Sequence, residues 1–172
     1  ILYYPLDSWF IAASKVKERM FELNKTINWK PEATGTGRFG NWLSNLQDWN
    51  LSRSRYWGIP LPIWRDGKGE EVCIGSMAEL FEKGYLPLNL ANEYFEAEKF
   101  GVAESTTYKG YVHMADIKAK VEDFDAKLDL HKPLADLIVF FSSNGEIMQR
   151  ESDLIDVWFD SGAMPYAQHH YP

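Results

Sequence analysis

Two turn dipeptides, Asp66-Gly67 and Asn144-Gly145, each stand between short runs rich in apolar residues. They constrain the fold more than any other feature, because Asp-Gly and Asn-Gly supply the positive φ angles of tight hairpin turns at low cost. The first predicts a hairpin between Pro62-Ile63-Trp64-Arg65 and Glu70-Glu71-Val72-Cys73-Ile74. The second returns the compact apolar strand Leu137-Ile138-Val139-Phe140-Phe141 into Ile147-Met148-Gln149-Arg150. Connections this short join antiparallel strands, since parallel pairing needs a long crossover.

Helical signals surround the hairpins. After the apolar, β-like run Ile1-Leu2-Tyr3-Tyr4-Pro5, Val16, Met20, Leu23 and Ile27 recur at helical spacing. They predict an amphipathic helix over Ala12 to Ile27, with Ser14 as its N-cap and Lys17, Arg19 and Lys25 facing water. Pro31 to Gly40 reads as a turn-rich connector, because Gly35, Gly37 and Gly40 fit no phosphate-loop spacing. A shorter helix from Asn41 would carry Trp42, Leu43, Leu46 and Trp49. Ser52 to Gly58 reads as extended, and Pro60 and Pro62 keep the chain out of a helix. Ser76, with Glu79 three residues on, predicts a capping box for a helix over Met77 to Lys83. Residues 87–129 are weakly patterned, with helix-prone stretches at Ala91 to Phe100 and Ala115 to Ala126, and are expected to tolerate length variation best. Leu154 to Phe159 is a last apolar run. The fold class expected is α+β: a helical N-terminal part, then short antiparallel hairpins and helices.

Composition narrows the functional classes. A chain of 172 residues, 45% hydrophobic and 15% aromatic, can bury a real core as one domain or one with a small appendage. No apolar run approaches bilayer-spanning length, and no charged-then-apolar leader opens the chain, so a cytoplasmic protein is expected. A single cysteine, Cys73, forms neither an internal disulfide nor a thiolate-rich zinc site, and His113, His131, His169 and His170 have no ligand spacing. Residues 1–65 carry nine Lys/Arg against five Asp/Glu, whereas the remainder carries nine against twenty. Phosphate binding needs local cationic charge, so RNA contact is expected in the first third. The acidic remainder argues against a free-standing nucleic-acid binder, and neither a DNA nor a membrane partner is expected.

Two denser segments carry a resemblance. Asp48-Trp49-Asn50-Leu51-Ser52-Arg53-Ser54-Arg55-Tyr56-Trp57-Gly58-Ile59-Pro60-Leu61-Pro62-Ile63-Trp64 is followed about a hundred residues later by Asp156-Val157-Trp158-Phe159-Asp160-Ser161-Gly162-Ala163-Met164-Pro165. Together they resemble the motifs D-W-x-x-S-R-x-R-Y-W-G-x-P-x-P-x-W and D-V-W-F-D-S-G-x-M-P of isoleucyl-tRNA synthetases, with the valine and leucine enzymes as relatives. The resemblance implies an internal fragment of an enzyme that joins L-isoleucine to its cognate tRNA with ATP, through isoleucyl-adenylate. The fragment would be spliced into a Rossmann-type catalytic domain. Residues 1–60 would return from the editing insertion, 61–155 would form a connective insertion, and 156–172 would start the return to the catalytic domain. A first residue other than methionine, and an end at His169-His170-Tyr171-Pro172 without a stop signal, fit such a fragment.

The same resemblance assigns roles. Trp158 would line the pocket for the isoleucine side chain; composition alone would make it a core residue. Arg53 and Arg55, projecting together from an extended segment beside Tyr56 and Trp57, could grip phosphate and stack a base at the tRNA acceptor end. Scaffold salt bridges are the alternative reading of that pair. Asp156 and Asp160 would face one side of a strand, but capping and turn roles suit them better than an acid–base dyad, and Ser161-Gly162 is no nucleophile elbow. The family's HIGH and KMSKS motifs, its substrate-amine motif and its editing-pocket motif do not occur in this sequence. No catalytic residue is therefore expected here. ATP and Mg2+ would be bound by the full enzyme elsewhere, and the fragment would bind no cofactor. Some bacterial relatives hold zinc with Cys pairs in the hairpin turns, which here read Asp66-Gly67-Lys68-Gly69 and Ser142-Ser143-Asn144-Gly145, so no zinc is expected. The other readings left open are a valyl or leucyl enzyme, or a spacer that only orients the editing domain.

Overall fold

The computed structural model describes residues 2–102 and 108–169. The chain forms two compact units, Ile1–Arg53 and Ser54–Pro172. The mixed helices and small antiparallel sheets agree with the α+β expectation.

The first unit holds β1 (Phe10–Ile11), α1 (Lys17–Asn24), α2 (Gly40–Ser44), β2 (Trp49–Asn50) and β3 (Ser52–Arg53). β1 pairs antiparallel with β2, Phe10 opposite Asn50 and Ile11 opposite Trp49. Several sequence expectations are corrected here. Leu2 to Pro5 is exposed and forms no strand. The predicted helix is split into a tight turn over Ala13–Val16 and then α1, and Ser14 does not cap it. Instead the Ser14 N–H donates to Asp48 Oδ1 at 3.0 Å. The row Val16, Met20, Leu23 and Ile27 stays 36–51% exposed.

What α1 buries is polar. Asn24 is 6% exposed; its Nδ2 donates to Gly35 O at 2.9 Å, and its Oδ1 accepts from Trp29 Nε1 at 2.9 Å. This side-chain amide satisfies the turn it lies against, so the helix is held by hydrogen bonds more than by its apolar row. The presumed connector is a wide helical turn over Thr34–Phe39 that runs into α2. Gly35 is needed there for close approach, because a Cβ would lie 2.0 Å from Trp29 Cδ1. α2 is shorter than expected, and Trp49 belongs to β2 instead.

The second unit contains β4 (Ile63–Arg65), β5 (Glu71–Cys73), α3 (Met77–Lys83), β6 (Tyr85–Pro87), α4 (Leu88–Phe95), β7 (Tyr111–His113), α5 (Met114–Lys120), α6 (Phe124–Lys127), α7 (Leu134–Leu137), β8 (Phe140–Phe141), β9 (Ile147–Arg150), β10 (Leu154–Ile155) and α8 (Val157–Ala167). Both predicted hairpins form, and they join into one antiparallel sheet of order β5-β4-β9-β8. Trp64 stands opposite Arg150, and Arg65 opposite Gln149.

The first turn is longer than a two-residue Asp-Gly turn. Asp66 Oδ1 accepts from the N–H groups of Lys68 (2.9 Å) and Glu70 (2.8 Å), and Gly69 rather than Gly67 takes positive φ, at 90°. In the second turn Gly145 has φ 72°, as Asn-Gly chemistry requires. The strand before it is shorter than predicted: Leu137 ends α7, and Val139 instead exchanges two 2.9 Å backbone bonds with Tyr85. The Ser76 cap is present, its Oγ accepting from the Glu79 N–H at 3.2 Å, while the Glu79 carboxylate accepts from Gly75 N–H at 3.0 Å.

The core lies where the sequence pattern was weakest. β6 pairs antiparallel with β7, and Leu86, Ala91, Phe95, Ala97, Val112, Met114 and Ile117 are all fully buried. Trp64 bridges this core to the sheet: its Nε1 donates to Ile138 O at 2.7 Å, and its ring stacks on Phe140 at 4.4 Å between centroids. Residues 103–107 of the weakly patterned stretch lie outside the described residues.

Candidate functional site

The end of the first motif segment crosses the residues just before the second, 151–155, in a short antiparallel pairing inside the second unit. The Ile155 N–H donates to Ile59 O at 2.8 Å, Leu61 N–H to Asp153 O at 3.1 Å, and Glu151 N–H to Ile63 O at 2.8 Å. Gly58 closes the crossing at φ 150°, where a Cβ would lie 3.2 Å from Leu154 Cδ1. This crossing fixes where α8 begins.

Residues 156–160 are therefore helical and not a strand, which corrects the picture of Asp156 and Asp160 side by side. Asp156 is the N-cap of α8: it is 5% exposed, and its Oδ1 accepts from the Trp158 N–H at 3.2 Å. Asp160 stands in the first turn. Carboxylates at these places satisfy free N–H groups and complement the positive end of the helix dipole. The capping duty expected of Asp156 is what the helix start shows.

The cap fixes the backbone of Trp158 at the head of the helix. Its side chain is not part of the unit's core; the residue is 71% exposed, with Val157 67% and Met164 54% exposed beside it. No described residue of α8 is buried. A helix that is apolar and yet exposed on its own unit presents a surface for something else.

The Arg-rich segment divides. The alternation expected over Ser52 to Gly58 stops with β3, so Arg53 and Arg55 do not continue one strand face. Arg53, in the first unit, is half-buried, and its Nη1 donates to Asn50 O (2.9 Å), Asn50 Oδ1 (3.2 Å) and Ser52 O (2.8 Å). Arg55, in the second unit, is exposed and lines an open cleft of about 400 Å3 with Ser54, Tyr56, Lys132, Pro133 and Asp136. Tyr56 is 88% exposed, and Trp57 lies flat against His131, with ring centroids 5.0 Å apart and planes 3° from parallel.

His131 in turn is held by Asp129, whose Oδ1 accepts from its backbone N–H at 2.9 Å and stands 2.7 Å from Nδ1. These contacts, the backbone N–H first and the imidazole second, hold the Asp129 carboxyl below its ordinary value. The acid inside the cleft, Asp136, is paired with the buried guanidinium of Arg150, 2.7 Å from its Nε.

His131 and Lys132 were not singled out for binding from the sequence. They lie about 75 residues from the Arg-rich segment, and their one local signal is a basic pair inside an acidic stretch. Among the described residues no group of three or more His, Cys, Asp or Glu side chains is placed to hold a metal ion. No described helix is long and apolar enough to cross a membrane.

Comparison with known proteins bears on these segments. A profile for tRNA synthetases class I (I, L, M and V) matches residues 2–100 and 94–172. The whole chain aligns with isoleucine–tRNA ligases: 57% identical over 175 residues to that of Bacteroides thetaiotaomicron, of which it covers 14%. The ligase of Cytophaga hutchinsonii is 58% identical over 173 residues, and that of Thermoplasma acidophilum 40% over 173 residues, with 13% of each covered. The chain thus spans about one-seventh of the length of the curated relatives it matches.

Proposed function

The chain belongs to the family of class I tRNA synthetases for isoleucine, leucine, methionine and valine, and from that premise we propose that it is a segment of an isoleucine–tRNA ligase. The full enzyme would activate L-isoleucine with ATP as isoleucyl-adenylate and transfer it to its cognate tRNA in the cytoplasm. The two motif segments support the isoleucine branch, as does the identity to isoleucine–tRNA ligases along the entire chain. In this reading residues 1–60 return from the editing insertion, 61–155 form the connective insertion and 156–172 re-enter a Rossmann-type catalytic domain. The remaining domains of the same polypeptide are its nearest partners.

The observation that carries the segment's role is the geometry of Trp158. It is presented outward from a capped helix start whose position is set by the crossing of residues 59–63 with 151–155. A rigid aromatic face held this way can measure an aliphatic side chain by contact. Such a wall rejects larger chains sterically and discriminates weakly against a missing methylene, a limit for which isoleucine enzymes themselves are the standard illustration. Arg53, Arg55, Tyr56 and Trp57 would meet the acceptor end of the tRNA. ATP and Mg2+ would be bound by the full enzyme elsewhere.

The test is direct. The full-length protein should exchange pyrophosphate into ATP when given isoleucine, and should charge isoleucine tRNA. Preference for valine or leucine would move the segment to a sister enzyme. Residues 1–172 alone should do neither reaction, and turnover by the purified segment would overturn the assignment.

A further inference from the structure

We propose that the cleft between Ser54–Tyr56 and Lys132–Asp136 is a phosphodiester site for a single-stranded RNA end, with Lys132 adding a cation that the Arg-rich motif lacks and His131 stacked on Trp57 beside it. The proposal rests on the ligase reading for its physiological ligand, but its geometry stands within the second unit alone.

Charge is the first argument. Residues 54–172 carry eleven Lys/Arg against twenty Asp/Glu, so a cationic cleft is not what this unit's composition would scatter there. Arg55 and Lys132 approach the cleft from segments far apart in the sequence. The one carboxylate lining it, Asp136, already faces the Arg150 guanidinium, and the nearby Asp129 is engaged by His131. The charge of Asp136, the acid in the cleft, is thereby offset by Arg150. Arg55 has no hydrogen-bond or ion-pair partner among the described residues. Lys132 donates to the neutral carbonyl of Ser152; an ammonium has three donors, so two remain for an anion.

Shape is the second argument. A cleft of about 400 Å3 falls in the size range of small-ligand sites, about 300–1,000 Å3, and suits one nucleotide rather than a duplex. The exposed ring of Tyr56 offers a face for a base, and the Trp57–His131 stack stiffens the rim beside it. Phosphate grip beside aromatic faces is the usual way in which proteins hold unpaired strands.

The experiment uses the full-length ligase and follows tRNA binding by anisotropy across a salt series, which needs no catalysis. R55Q and K132Q should each weaken binding several-fold at low salt. Each should also flatten the slope of log K against log salt by about 0.7, the value for one phosphate contact on a single strand. K132R should bind as the parent does, and so should K127Q, a lysine that does not line the cleft. A single-stranded RNA tetramer should compete with the tRNA, whereas inorganic phosphate at the same concentration should not. Parent-like affinity and slope in both R55Q and K132Q would overturn the proposal, and so would competition by phosphate as strong as that by the tetramer. If K132Q lowers the melting temperature, its Ser152 contact is structural and R55Q decides, since Arg55 has no such contact to lose. Failure of isoleucine-dependent exchange in the parent would sink the ligase reading and leave the binding result to stand or fall by itself.

Discussion

Arg150 and Asp136 form a charge pair in which the two partners are unequally buried. The arginine side chain is 1% exposed and the aspartate 39%. Arg150 Nε lies 2.7 Å from Asp136 Oδ1, Nη2 donates to the same oxygen, and Nη1 reaches the carbonyls of Leu61 (3.1 Å) and Asp153 (3.0 Å). One guanidinium thus ties β9 to α7 and to both segments of the crossing that sets α8. Removing it leaves the buried Leu61 carbonyl and the Asp136 carboxylate without this donor, so Arg150→Met should cost about 3 kcal/mol in urea unfolding. Asp136→Asn should cost only about 1 kcal/mol, because water screens the exposed carboxylate. Equal losses for the two would mean that the carbonyl contacts contribute little.

The core makes a second prediction. Phe95 is fully buried, with its ring 4.8 Å from that of Phe124. Phe95→Ala should destabilise the second unit by about 3–5 kcal/mol, the usual cost of truncating a buried aromatic. Gly84→Ala tests a different term in the same unit. A Cβ there would lie 2.5 Å from Leu80 O and 2.7 Å from Met114 Sδ, forcing α3 away from α5. The alanine variant should unfold at lower urea despite its smaller unfolded-state entropy; an unchanged midpoint would show that the contact relaxes freely.

Legibility followed element length and sequence distance. The hairpins, the Ser76 cap and the Asp156 cap were readable, because each depends on residues within a few positions of one another. The merging of the hairpins into one sheet was not, since Trp64 meets Arg150 across a separation that no local pattern encodes. In residues 87–129 the helices α4 and α5 are eight and seven residues long, too short for periodicity to rise above noise. The apolar row of α1 misled for another reason: Asn24 and Gly35 determine its packing. Trp158 was named from its motif, but its helical setting and exposure came from the fold. Lys132 came into view only when the chain brought it to one cleft with Arg55, and His131 through its stack on Trp57.

Asp66 predicts a pH response. Burial pushes its carboxyl up, but the backbone N–H groups of Glu70 and Lys68 outweigh this and hold it below its ordinary value of 3.8. A carboxyl depressed on folding contributes stability above its unfolded pKa and loses it as pH falls through the folded value. The unfolding midpoint should therefore decline as pH drops below about 4. Asp66→Asn should lower the midpoint at neutral pH and flatten that acid decline. An acid limb as steep in the variant as in the parent would assign the response to other carboxylates.

Trp158 separates a pocket wall from scaffold, because stability and catalysis should respond to its loss in opposite degree. At 71% exposure it contributes little to the fold of its own unit. Trp158→Ala should therefore leave the melting behaviour of the 172-residue chain within about 0.5 kcal/mol of the parent. The Asp156 cap uses the backbone N–H of residue 158, so the helix start survives the substitution. In the full-length ligase the same change should remove the aromatic face against the amino-acid side chain and leave a void. The expected loss in kcat/KM for isoleucine is about 2–4 kcal/mol, comparable to truncating a large aromatic in a packed site. ATP binding should change little, and larger aliphatic amino acids should gain relative to isoleucine as the space opens. A stable variant that activates isoleucine as well as its parent would show that Trp158 faces another part of the enzyme, and the segment would then be a spacer.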